Sequence, residues 1–423
     1  MPLQASSLSL PLPSPSLGPT SLLLDPLSSS LAVTLSDSSV LLFPSSSPSP
    51  SAVPTVVPPV STSSSTFLLL NPKPKNPNPN STLFVSAFPS PSSPSVLLRA
   101  WILIDDRFSP VPLSFNNKLP RSKTLALNLS HGFGVRIVGS VNYLAVHSAA
   151  SRQIWVLGAR VLGDGSDGKA VDFVKCAVVE CVAPIYDLRM EKGVLVLGEV
   201  DGVRVFPLRP LVKGGDVGRR RSHRRDGAAA DVGDRALGRL RTLKLRQNSG
   251  EFGSFFMMIK HAMVQDSDSN TLSSMKAVSI HILSQKKLLV LDSGGDLYLL
   301  NLENSDMAGE DSTVHSSIAS TCSHINRLDV TMKVQMLAVL PELVEGKQVM
   351  WLSDGSHSVH VLSVDVTESL VRENDNDENK EKPLQISVLQ AIFTSEKVQD
   401  IVSLSASAIL LLGQRTIFAY SIS

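Results

Sequence analysis

LLVLDSGGDLYLL (288–300) runs from an apolar strand through a tight polar turn into a second alternating strand. Ser293, Gly294, Gly295 and Asp296 are residues that accept the positive φ of a two-strand turn, so the stretch predicts a β-hairpin. The same pattern recurs as LAVTLSDSSVLLF (31–43), VLVLGEVDGVRVF (194–206), VMWLSDGSHSVHVL (349–362) and ILLLGQRTIFAY (409–420). Two looser copies are LAVHSAASRQIWVL (144–157) and LFVSAFPSPSSPSVLLRAWILI (83–104), the second with a Pro/Ser-extended turn.

The seven copies begin at 31, 83, 144, 194, 288, 349 and 409, which gives intervals of 52, 61, 50, 94, 61 and 60 residues. The long interval contains a Gly/Arg-rich insertion. A lead strand often precedes the hairpin, as in IYDLRM (185–190), AVSIHIL (277–283) and DIVSLS (400–405). Lead strand, hairpin and one more strand make a four-stranded sheet with two apolar faces. Radial stacking buries both faces and leaves only short edges. The expected fold is therefore all-β, a single β-propeller of about seven four-stranded blades. Helical periodicity is scarce, its best candidate being RALGRLRTLKLRQ (235–247).

The hairpins resemble those of WD-repeat-like propellers, over essentially the whole chain after residue 20. The resemblance lies in rhythm, since the sequence has no Trp-Asp dipeptide and no Gly-His opening. Trp101, Trp155 and Trp351 fall in repeat strands, but none precedes an Asp. The Ser/Pro-rich start and loops resemble tracts found in plant proteins.

Residues 1–20 read as a flexible tail and 21–423 as the propeller. Low-complexity stretches at 44–64, 72–80, 213–240, 304–325 and 370–383 lack the apolar content to order themselves and read as disordered loop insertions. The last hairpin is followed by no outer strand. A segment within 5–25 is expected to supply it, and TSLLL (20–24) is its most strand-like part. An unpaired edge would otherwise remain. Transit and secretory leaders are basic near their start. Here the first basic residue is Lys73 and the first Arg is Arg99, so no cleaved leader is expected.

The charges nearly cancel, 39 Lys plus Arg against 38 Asp plus Glu, which gives no global pull toward nucleic acid or anionic membrane. Three cysteines, Cys176, Cys181 and Cys322, are too few for a disulfide scaffold and read as reduced thiols. No apolar run approaches the ~20 residues of a membrane helix, so no membrane partner is expected.

Motifs that suggest chemistry fail on inspection. GDGSDGKA (163–170) matches a phosphate loop from Gly163 to Lys169 but has Ala170 where a Ser or Thr hydroxyl must bind magnesium. It reads as a surface turn between blades. Asp266-x-Asp268-x-Asn270 and Asp375-x-Asp377-x-Asn379 lack the glycine and the final bidentate glutamate of a calcium loop. His357 and His360 share one hairpin without a third ligand. No catalytic residue, cofactor or metal is assigned, and the chain is not expected to be an enzyme. A propeller enzyme would need His or carboxylates converging on the central channel.

One cluster stands out. Arg219, Arg220, Arg221, Arg224 and Arg225 fall within seven residues and lack aromatic neighbours, so they suit an import signal or contacts with phosphates rather than base stacking. Binding residues concentrate on loops held by a rigid frame. The expected function is a non-catalytic scaffold or adaptor for other proteins in an intracellular complex, in the nucleus, the cytoplasm or both. The alternative is a nucleic-acid-associated accessory subunit that touches RNA through the basic loop, similar to the non-catalytic propeller partner of a tRNA methyltransferase.

Overall fold

The computed structural model describes residues 3–8, 10, 12, 14, 16–46, 53–60, 63–71, 81–116, 122–165, 168–213, 242–259, 274–302, 325–340, 347–365 and 386–422. All seven hairpins are antiparallel strand pairs, each at the centre of its own sheet. Blade 1 is Pro19–Asp25, Ser30–Leu35, Val40–Phe43 and Thr55–Val57; blade 2 is Ser64–Leu70, Ser81–Pro89, Ser95–Ile104 and Thr124–Ser130. Blade 3 is Val135–Gly139, Tyr143–Ser148, Gln153–Gly165 and Gly168–Glu180; blade 4 is Asp187–Glu191, Val194–Glu199, Gly202–Pro207 and Phe255–Met258. Blade 5 is Ala277–Ser284, Lys287–Asp292, Leu297–Asn301 and Ile325–Leu328; blade 6 is Met336–Val339, Lys347–Ser353, Ser358–Asp365 and Ile386–Phe393. Blade 7 takes Asp400–Ser403, Ala408–Leu412 and Ile417–Ile422 from the end of the chain and Leu3–Leu8 from its start.

The apolar runs close the ring. Successive side chains of a strand point to opposite faces, and here both faces of every blade are packed. Val194 and Val196 pack toward blade 5, whereas Leu195 and Leu197 between them pack toward blade 3. The same division yields seven apolar clusters, one between each pair of neighbouring blades, with Leu22, Leu31 and Phe43 meeting Leu410, Leu412 and Ile417 where blade 1 abuts blade 7. The three tryptophans are wedges in these layers, and Trp351 has no exposed surface.

Several expectations change. The segment 1–20 is not wholly a tail, because Leu3–Leu8 pairs antiparallel with Ile417–Ile422, Leu3 opposite Ile422 and Leu8 opposite Ile417. The ring is thus closed by the N-terminal segment as expected, but not through TSLLL, which lies in the first strand of blade 1 with Leu22 in its core. Within 44–64, Thr55–Val57 pairs with Val40–Leu42 as an outer strand and so is not loop. The turn at 163–170 lies inside blade 3, not between blades, and joins two 13-residue strands with Gly165 opposite Gly168. The helical periodicity of 235–247 is not realised at 243–246, which form a strand parallel to Gly168–Glu180. Among the described residues, the helices are Leu208–Lys213 and the short 3-10 turn Glu251–Gly253. Residues 72–80, most of 213–240 and 304–325, 370–383, Cys322 and both calcium-loop look-alikes lie outside the described residues.

Candidate interaction surfaces

Each blade uses the same strand order, so its turns separate onto two faces. Connections between first and second strands, and between third and fourth, open on one face. Connections between second and third strands share the other face with the linkers from blade to blade. The described ends that flank the insertions within blades open on the first face. The segment within 44–64 joins the third and fourth strands of blade 1, as 213–240, 304–325 and 370–383 do in blades 4, 5 and 6; 72–80 joins the first and second strands of blade 2.

Arg219, Arg220, Arg221, Arg224 and Arg225 lie outside the described residues, but both ends of their segment are fixed. The chain leaves blade 4 through the helix Leu208–Lys213, whose Leu208 and Leu211 are buried against blades 3 and 4. It returns as Leu243–Arg246 on the outer edge of blade 3, where Thr242 Oγ1 donates to Lys175 O. The two anchors of the Arg-rich segment therefore lie on neighbouring blades, 4 and 3. Its anchors are basic as well, with Arg209, Lys213, Lys244 and Arg246 all exposed. Lys175 lies over the Trp155 ring, 3.7 Å from its centroid, and burial, with Lys244 adding, holds its amine below the usual lysine range.

The channel end of the blades carries charges that sequence reading passed over. On the first strand of blade 4, Leu188 and Met190 enter the core while Asp187, Arg189 and Glu191 take the opposite face. The alternation is legible in the sequence, where polar Asp187, Arg189 and Glu191 interleave with apolar Leu188 and Met190. Asp187 accepts from Ile280 N–H of blade 5 at 2.8 Å and pairs with Arg189 at 3.1 Å. Asp400 likewise accepts from Leu22 N–H of blade 1 at 2.8 Å. Burial raises the Glu191 and Asp400 carboxyls, and the Asp25 charge adds to the rise at Glu191. His281, beside Arg189, is pushed down to about 3, chiefly by burial. Asp187 and Asp400 bind neighbouring strands and the histidine stays neutral, so these groups join one blade to the next. Among the described residues no three His, Cys, Asp or Glu side chains are grouped to hold a metal. His360 Nε2 lies 3.3 Å from Ser358 Oγ, and His357 Nδ1 lies 3.3 Å from Thr394 O.

Cys176 is half-buried and Cys181 buried, both as free thiols. Cys176 occupies the bulge where the pairing of Gly168–Glu180 shifts register. Burial raises both thiols, Cys181 to about 12, which leaves them unreactive protonated side chains.

No family model matches the sequence, and no curated protein matches it. Solved structures do. The WD40 repeats of RRP9 are 10% identical, with 100% of this chain and 97% of that chain covered and a TM-score of 0.48. U3-55K is 10% identical over 99% of this chain and 98% of that chain, at a TM-score of 0.47. The β-propeller domain of Myceliophteria thermophila Cps50 (Swd1) is 9% identical over 96% of each chain, with a TM-score of 0.48. Similarity at this level says nothing about what this chain binds.

Proposed function

We propose that the protein is a non-catalytic scaffold that holds other proteins together within an intracellular complex. The observation that carries this reading is the separation of one rigid ring into two unlike faces. One face bears the anchors of five polar insertions. On the other, each of the seven second-to-third-strand turns is hydrogen-bonded to a blade linker. Examples are Ser36 N–H to Gly18 O, Cys181 N–H to Arg152 O, Val334 N–H to Gly295 O and Thr394 N–H to His357 O. Glu396 does the same for blade 7, accepting from Arg415 N–H and Thr416 Oγ1. A face locked in this way presents side chains at little entropic cost to a partner. Among the described residues, no helix is long and apolar enough to cross a membrane.

The test is purification of the tagged full chain under native conditions, followed by size-exclusion chromatography and mass spectrometry. Co-elution with a constant set of proteins at a fixed ratio is expected. Elution alone, at the mass of one chain, overturns the scaffold reading.

A second reading, as an accessory subunit that touches RNA, is favoured by one observation: exposed basic residues flank the Arg-rich segment at both anchors. Such contacts would be to phosphates and independent of sequence. Either reading places the protein in the nucleus, the cytoplasm or both.

A further inference from the structure

Phe133 is the most exposed large apolar residue in the described ring, at 108% relative accessibility. It belongs to His131-Gly-Phe-Gly134, the linker from blade 2 to blade 3, on the face opposite the insertions. An isolated exposed phenylalanine on a loose loop would mean little. This one stands on a locked base. Gly132 (φ +53) and Gly134 (φ +144) give the backbone a shape that other residues resist. A Cβ on Gly132 would come within 2.4 Å of Ala150 Cβ, so the linker is pressed against the 149–152 turn. His131 is buried, its N–H donates to Pro94 O at 2.6 Å, and Gly134 N–H donates to His131 O at 3.0 Å. Ser130 N–H donates to Ser151 Oγ at 2.7 Å, and Ser151 N–H to Ser148 Oγ at 3.0 Å. The ring is therefore held out in water by a frame that cannot fold it away.

The surroundings define what would cover it. The 149–152 turn joins the Phe133 linker to Val182, itself 48% exposed, through a hydrogen bond of 3.4 Å from Arg152 Nη2 to Val182 O. The four segments that make up this corner, 90–94, 131–134, 149–152 and 181–186, contain no Asp or Glu; Arg152 is exposed within them, and two further exposed cations reach Tyr186, Arg136 by donating to its carbonyl and Lys276 by lying over its ring. A protruding aromatic, a second apolar side chain and the exposed guanidinium of Arg152 complement an apolar pocket with a carboxylate at its rim. Phosphate contacts would leave Phe133 and Val182 uncovered, so the apolar centre of this corner suits a protein surface.

We propose that the corner formed by Phe133, Val182 and Arg152 is a docking site for a protein partner that presents an apolar pocket or groove bordered by an acidic side chain. This rests on the scaffold reading and names the surface and the partner chemistry it would use. Anchoring aromatics carry a disproportionate share of interface energy.

The experiment places the photo-cross-linker p-benzoylphenylalanine at Phe133 in the full chain, with a control at the exposed Asp37 on the same face. The cross-linked peptide is sequenced and synthesised, and its binding to the purified chain is measured. The proposal expects a segment with aliphatic or aromatic residues and at least one Asp or Glu. Its affinity should fall at least tenfold in Phe133→Ala and in Arg152→Glu, with melting temperatures unchanged. A Lys in place of the peptide's acid should restore binding to Arg152→Glu. Cross-linking to another copy of this chain, to RNA, or no more strongly than from position 37 overturns the proposal. So does a peptide indifferent to Phe133→Ala. If the native complex survives Phe133→Ala intact, this corner is wrong while the scaffold reading stands; absence of any complex overturns the scaffold reading itself.

Discussion

His147 and His281 are held where an imidazolium cannot be hydrated. His147 is buried beside Arg136, and its pKa falls to about 4, with burial the larger cause; His281 falls to about 3 for the same reason beside Arg189. In the unfolded chain both titrate near 6.5. The unfolded state therefore binds more protons below that pH, and stability is fully present above it and lost as pH falls toward the folded values. Across that window the loss is on the order of 3 kcal/mol per histidine. Glu191 and Asp400, whose folded pKa values are raised, work in the opposite direction and offset part of it. Asp37, Asp296 and Glu396 are lowered and add their own loss only below the ordinary carboxylate range. The histidine contribution is accordingly read by difference. Urea denaturation at several pH values between 7 and 4 should show a shallower decline for His147→Gln combined with His281→Gln than for the natural chain. Parallel declines would place the protonation elsewhere.

Among the elements, the strand Leu3–Leu8 joins the two ends of the chain. It pairs over six residues with Ile417–Ile422, and Gln4–Ser7 are exposed, so these four residues contribute backbone hydrogen bonding and the covering of an edge. Deleting residues 1–8 should cost on the order of 3 kcal/mol, a few hydrogen bonds at about 1 kcal/mol each, and should promote aggregation through the bared edge of blade 7. A variant that melts and stays soluble like the full chain would show that the strand is dispensable. This strand also marks where sequence reading ran out. All seven hairpins were legible, because two-sided burial writes continuous apolar runs around turn residues. LQASSL is polar at its centre and carries no periodic signal, whereas TSLLL is apolar because it sits at the inner rim. Thr55–Val57 is three residues long inside a Pro/Ser-rich tract, too short for its composition to show through. Leu243–Arg246 has helix-compatible spacing, but it adds to an existing sheet edge on blade 3, and tertiary pairing overrides local periodicity.

At the scale of the whole molecule, repetition of one strand order divides the turns into a locked face and a face that carries the insertion anchors, and the insertions differ from one another in charge. The 214–241 segment carries eight Arg and four Asp, whereas 303–324 carries four Asp or Glu and no Lys or Arg. Near-neutrality of the whole chain therefore conceals a basic excursion between blades 3 and 4. Its anchors, Leu208 and Leu211 on one side and Leu245 on the other, are buried, so folding is expected to survive loss of the arginines. Replacing Arg219, Arg220, Arg221, Arg224 and Arg225 by Ser should move stability by no more than about 0.5 kcal/mol per change. Nuclear accumulation should fall if the cluster is an import signal. RNA binding, measured by filter binding across a salt series, should weaken. The slope of log affinity against log salt should shrink by roughly 0.7 for each phosphate contact removed on single-stranded RNA. A slope that does not change removes the cluster from nucleic-acid contact and leaves the scaffold reading standing. Loss of soluble protein would instead make the arginines part of the packing between blades 3 and 4.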